Sequence, residues 1–307
     1  MLNPKNLFLS ATKKTLWSEV KTREDVENAF RSGENIYAEL KPILWKHSEN
    51  GNVEVVKALL EHGVEIDDEW DEMLPIHIAA GKGHTEIVKL LLQYGSDIEG
   101  TSHRDYREGW TPLMFAAVSN NPGTVNLLLD HGASIEARND KGDTALICAI
   151  AYRSVKTARI LLERGANIRT INNQGDNVLI ICARSSNKDI LDLLYSYDQI
   201  DVNYQNFGGD TALIIACRSE NKDVVEMLLK LGCDVNIQNI YGVTALIYAC
   251  SIKYRPGSIT SKSLKIVQLL LTKGADMNIE DKEGYIARDY AMANNNVEII
   301  ELLDNCF

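Results

Sequence analysis

An all-α repeat solenoid, with a hairpin loop and two antiparallel helices per unit, is the fold class this sequence predicts. Three observations predict it. First, Thr111-Pro112-Leu113-Met114-Phe115-Ala116-Ala117 returns as Leu74-Pro75-Ile76-His77-Ile78-Ala79-Ala80, as Thr144-Ala145-Leu146-Ile147-Cys148-Ala149, as Thr211-Ala212-Leu213-Ile214-Ile215-Ala216 and as Thr244-Ala245-Leu246-Ile247-Tyr248-Ala249. Second, each copy leads to a leucine-rich run such as Ile87-Val88-Lys89-Leu90-Leu91-Leu92 or Val224-Val225-Glu226-Met227-Leu228-Leu229. Third, a glycine closes each run, at Gly95, Gly132, Gly165, Gly232 and Gly274.

Each element has a local cause. In Gly109-Trp110-Thr111-Pro112, the glycine suits a turn and the threonine can accept a bond from an orphan backbone N–H. Proline at the first helical position gives up an N–H that would be unpaired anyway. Ala116 and Ala117 leave so little side chain that another helix can pack close. The closing glycine suits a left-handed C-cap. The pattern resembles the ankyrin repeat family, with its 33-residue period and T-P-L-H-x-A signature, over roughly residues 36–305. The resemblance implies hairpin tips and first helices that line a concave groove where partner proteins bind.

In chain order, residues 1–15 carry no pattern and read as a loose arm. Residues 16–35, with Trp17, Val26, Phe30 and Gly33, read as a half-repeat cap with a polar outer face. About eight repeats follow over 36–305, the first with Trp45 in the place of the signature histidine. An insertion near 99–107 lengthens one hairpin. Tyr197 stands where Gly165 stands one unit earlier, which predicts a remodelled turn, because tyrosine accepts a left-handed backbone poorly. A second insertion, near 251–262, is rich in Pro, Gly and Ser and reads as a loop. The last unit has Ala287-Arg288-Asp289 where the motif is apolar, as suits a C-terminal cap. Second helices begin with Glu86, Asp189, Asp223 and Glu298, which the positive end of the helix dipole favours.

Composition narrows the function. The 307 residues carry a formal charge of -11, which disfavours nucleic-acid phosphates and anionic membranes. No run reaches the roughly 18 apolar residues of a membrane helix. The start is too short in apolar residues for a secretory signal, so a soluble, cytoplasmic, monomeric protein is expected, with no membrane insertion. Cys148, Cys182, Cys217 and Cys250 lie 34, 35 and 33 residues apart, in step with the repeat, and read as small buried hydrophobes rather than metal ligands. Cys233 and Cys306 read as incidental. His77 and His84 fall where the motif places histidine, and His62 and His131 read as cap-side polar residues. No catalytic constellation, metal site or cofactor motif is present.

The expected activity is therefore to bind another protein, as adaptor, scaffold or inhibitor. The Asn-, Ile- and Lys-rich composition fits, by analogy with intracellular bacteria, amoebae and giant viruses, a host-directed effector acting in a host cytosol. The alternatives are an accessory subunit of an enzyme, or a substrate of an asparagine hydroxylase, whose pattern Asn236 and Asn278 resemble. Two ladders map onto the implied groove. The residue after each turn glycine runs Trp110, Asp143, Asp176, Asp210, Val243, Tyr285; the residue after the small pair includes Arg184 and Arg218. The expected site is three acids along one edge and two arginines about 12 Å away, eight residues further along a helical path. Trp110 and Tyr241 are its expected anchors. The arginine position is read as useless to the fold, so Arg184→Ala and Arg218→Ala are expected to leave thermal stability nearly unchanged.

Overall fold

A computed structural model describes residues 20–31, 37–185, 187–197, 200–251 and 261–305. The expected arm, both ends of the expected cap, most of the second insertion and Cys306 lie outside the described residues. The chain divides into two compact units, Met1–Asp140 and Lys141–Phe307.

The first unit contains α1 (Arg23–Arg31), α2 (Tyr37–Asn50), α3 (Val53–Glu61), α4 (Pro75–Lys82), α5 (Thr85–Gln93), α6 (Pro112–Val118) and α7 (Pro122–Asp130). First helices touch first helices, α2 against α4 and α4 against α6, while α1, α3, α5 and α7 form a second row. The insertion near 99–107 folds as a loop holding a 3-10 turn, Asp105–Arg107. The second unit contains α8 (Ala145–Ala151), α9 (Val155–Glu163), α10 (Val178–Ser185), α11 (Lys188–Tyr195), α12 (Ala212–Arg218), α13 (Lys222–Lys230), α14 (Ala245–Ser251), α15 (Ser261–Thr272), α16 (Ala287–Ala293) and α17 (Val297–Asp304). Here α8, α10, α12, α14 and α16 make the first row and α9, α11, α13, α15 and α17 the second. Among the described residues, β pairing is confined to two isolated bridges, so the fold is an all-α repeat solenoid.

Small side chains make the close helix rows feasible. Ala79, Ala80, Ala116 and Ala117 in the first unit, and Ala149, Ala183, Ala216 and Ala249 in the second, are fully buried. Cys148, Cys182, Cys217 and Cys250 are free and buried beside them. Burial pushes the Cys182 and Cys250 thiols up to about 12, which keeps them protonated and inert. Cys233 fills the small position after Gly232, as Ala166 does after Gly165, so it is a packing residue rather than an incidental one.

Helix starts follow the sequence with one exception. Thr144, Thr211 and Thr244 each accept a bond from the N–H three residues on, at 3.4, 3.2 and 3.2 Å. The Thr111 hydroxyl is buried and caps nothing. Pro112 at the first helical position defines that start, and the Thr111 carbonyl accepts from Met114 N–H at 3.0 Å. At the drifted unit, α11 ends at Ser196 in right-handed conformation, and Tyr197 has no positive φ, whereas Gly165 and Gly232 have φ of +91° and +77°. Beside this turn lies an apolar cavity of about 160 Å³ lined by Leu179, Leu191, Leu194, Ile200 and Leu231.

Candidate partner-binding surface

In the second unit, successive hairpins are tied to each other by backbone and side chain. Asn173 N–H donates to Lys141 O, Phe207 N–H to Gln174 O, Ile240 N–H to Gly208 O and Lys282 N–H to Tyr241 O. This close approach dictates the turn glycines. Gly209 and Gly242 have φ of +72° and +78°, and a Cβ there would fall 2.7 Å from Ile240 N and 2.8 Å from Lys282 N.

The acid ladder belongs to the same scaffold. Asn172 Nδ2 donates to Asp143 at 3.0 Å, Asn206 Nδ2 to Asp176 at 2.6 Å, and Asn239 Nδ2 to Asp210 at 2.8 Å. The amide oxygen of each asparagine closes its own turn: Asn206 Oδ1 accepts from Gly208 and Asp210 N–H at 3.0 and 2.9 Å. Each aspartate is therefore the acceptor that the next hairpin needs, and Asp176 is wholly buried. The ladder ends where Val243 replaces the acid. There Asp281 replaces the asparagine, closes its turn onto Glu283 and Tyr285 N–H, and accepts the Tyr290 hydroxyl at 2.5 Å. These bonds hold the Asp281 carboxyl below the usual carboxylate range despite its burial, and the phenol rises to about 12, chiefly because it donates to that carboxylate.

The structure corrects the expected site on three counts. The arginines are not 12 Å from the acids: Arg184 Nη2 lies 2.7 Å from Asp176 Oδ2, and Arg218 Nη1 lies 3.1 Å from Asp210 Oδ2. A long side chain folded back along its helix toward the preceding hairpin covers the distance that the backbone path does not. Arg184 and Arg218 are accordingly tied into the fold by ion pairs, and Arg184 pairs with a carboxylate that has no exposure to water. Asp143, Asp176 and Asp210 are internal ties before they are a partner's contacts. Third, Trp110, in the first unit, is a core residue only 4% exposed, edge-on to Phe115 at 5.4 Å, with the Arg107 guanidinium 5.2 Å from its ring centre. A partner cannot use it as an anchor without unpacking it.

What remains open is apolar. Tyr241 is 64% exposed, and Phe207 and Ile240, on the hairpins at and before it, are 68% and 48% exposed. Arg184 and Arg218, each less than half exposed at the side chain, stand on α10 and α12 of the same unit, and Arg218 lies 5.7 Å from the Tyr248 ring centre. Among the described residues no three His, Cys, Asp or Glu side chains converge to hold a metal ion. Asn236 bridges two repeats of the second unit as a structural tie, accepting from Asp276 N–H at 2.9 Å and donating to Gly274 O at 3.2 Å. Asn278 N–H closes its turn on Asp276 at 2.9 Å.

The histidines also serve the fold. His77 accepts from Leu74 N–H at Nδ1, so its proton sits on Nε2 and is donated to Gly100 O at 2.7 Å. Burial lowers its pKa to about 4, and it stacks on Phe115 at 5.1 Å. His84 Nε2 reaches Glu49 O at 2.9 Å, and His62 and His131 occupy helix C-caps.

Compared with known families, the chain matches the model for ankyrin repeats (three copies) at residues 24–102, 44–139, 99–172, 131–206, 165–239, 199–256 and 232–306. This chain belongs to the ankyrin repeat family. No curated protein gives a significant match. Ankyrin repeats are generally protein–protein interaction modules and typically non-catalytic. In this ankyrin repeat protein no helix among the described residues is long and apolar enough to cross a membrane.

Two positions before the turn glycine this chain carries polar residues at Asp140, Asn173 and Lys282. Phe207 and Ile240 depart from that pattern. The two apolar residues are legible in the sequence, but only the structure shows that they stay exposed.

Proposed function

We propose that the hairpin tips and first helices of the Lys141–Phe307 unit bind a partner protein, and that this ankyrin repeat protein works as an adaptor, scaffold or inhibitor. The observation that carries the reading is the row Phe207, Ile240 and Tyr241, three large apolar side chains left in water on consecutive hairpins. Apolar side chains gathered in water at hairpin tips cost solubility, which is the signature of a surface kept for association. Arg184 and Arg218, held by Asp176 and Asp210, lose little side-chain freedom when a partner carboxylate or aromatic ring meets them, and such pre-positioned arginines and aromatics are the usual energetic centres of interfaces.

The test compares the parent chain with Phe207→Ser and Tyr241→Ala as baits in cross-linked capture from lysate. Identified proteins held by the parent and lost from both variants, with unchanged thermal melts, support the reading. Capture that neither substitution weakens removes this surface from the account.

A further inference from the structure

The first unit carries a different exposed surface. Trp70 is 47% exposed and Tyr106 is 62% exposed. Trp70 stands at the start of a two-residue turn closed by its bridge to Met73, and Tyr106 stands in the 3-10 turn of the inserted loop. The two segments are joined: His103 N–H donates to Glu72 O at 3.0 Å, and Arg104 pairs with Asp71 at 3.2 Å while lying 5.8 Å from the Tyr106 ring centre. The two rings therefore belong to one rim.

The charge around those rings is acidic on balance, Arg104 and Arg107 being the bases of the inserted loop. Residues 65–72 read Glu-Ile-Asp-Asp-Glu-Trp-Asp-Glu, six acids without a base. Arg104 answers Asp71, and His103 lies 3.4 Å from Glu69. Asp67 is occupied by the Ser96 hydroxyl and Asp97 N–H. The turn itself holds Asp71 and Glu72 at φ of +54° and +62°, where Asn-Gly would be easier to fold. Since no three acidic, histidine or cysteine side chains converge among the described residues, a compact metal ion is the wrong complement. Aromatic faces rimmed by spread carboxylates match an extended segment of cations, whose stems lie on the rings and whose heads meet the acids.

We infer that this rim, with Trp70 and Tyr106 as ring contacts and Glu69, Asp71 and Glu72 as carboxylates, docks a Lys/Arg-rich segment of another protein. This site is separate from the apolar row of the other unit, and either can fail without the other. The probe is an acetylated, amidated decapeptide alternating Arg and Ser, with the Glu–Ser decapeptide as control, titrated against the full chain at about 0.15 M salt. Trp70→Ala and Tyr106→Ala remove a ring without changing net charge, so each should weaken the Arg–Ser peptide five- to tenfold while Tyr241→Ala changes nothing. Thermal melts of both ring variants should match the parent, because the Trp70–Met73 bridge is made by backbone groups. Equal affinity in the parent and both ring variants would mean attraction by net charge alone and overturns the inference. So does binding lost in Tyr241→Ala, which places the peptide elsewhere, or equal binding of the Glu–Ser control.

Discussion

Asn206 donates its amide N–H to Asp176 of the preceding hairpin at 2.6 Å, and with its amide oxygen accepts two N–H groups of its own turn. One side chain thus closes one repeat and fastens it to its neighbour. In a repeat array, stability is carried by unit and nearest-neighbour terms, so this bond acts directly on the coupling between adjacent repeats.

Asp176→Ala leaves the half-buried Asn206 amide without its acceptor, and the cost should fall toward the lower end of the about 1–3 kcal/mol of a fully buried orphaned group. Urea unfolding should show a loss in that range. The ion pair gives a graded companion test. Arg184→Ala strips a carboxylate with no exposure of its cation, whereas Arg218→Ala leaves Asp210 partly in water. Arg184→Ala should therefore destabilise more, by about 1–2 kcal/mol against under about 1 kcal/mol, both discounted for the half-exposed arginines. Equal losses in the two urea curves would contradict the burial argument.

The turn glycines separate backbone strain from close approach. Gly165→Ala meets no atom within 4 Å, so only the left-handed backbone penalises it, by about 1 kcal/mol. Gly209→Ala has that penalty and a Cβ 2.7 Å from Ile240 N, and should lower the melting temperature markedly further. A Gly209→Ala melt no lower than that of Gly165→Ala would show that the hairpins can separate freely.

Acid should weaken the first unit through His77. Its folded pKa of about 4 lies below the ordinary 6.5, so between those values the unfolded chain binds more protons and stability falls as pH falls. Above about pH 6.5 the group contributes no slope. The full loss, reached below pH 4, is on the order of 3 kcal/mol, and His47, lowered by burial as well, adds in the same direction. Chemical denaturation from pH 7.5 to 4.5 should show this slope, and His77→Gln should flatten it while lowering stability at neutral pH. An unchanged slope in the variant would assign the acid sensitivity to other groups.

The thiols offer an independent reading of the core. In a Cys306→Ser chain, Ellman's reagent should leave Cys148, Cys182, Cys217 and Cys250 unmodified until denaturant is added, because burial keeps all four out of reach and holds Cys182, Cys217 and Cys250 protonated. Rapid modification of the native chain at neutral pH would place the first-helix rows in water instead.

The sequence by itself determined the repeat, the alternation of first and second helices, the threonine caps at Thr144, Thr211 and Thr244, and the burial of the periodic cysteines. All of these follow from patterns within one unit, where a period, a cap or a small residue has one structural meaning. Tertiary structure alone decided the rest. Asp176 and Asn206 stand 30 positions apart, and nothing in either residue tells that one needs the other until two hairpins lie side by side. The same holds for Arg184, whose side chain turns back on Asp176, and for Trp110, which the fold of its own unit buries. Which polar residues are ties and which apolar residues stay in water is settled by neighbours in space, because burial belongs to an assembled surface and not to a residue type.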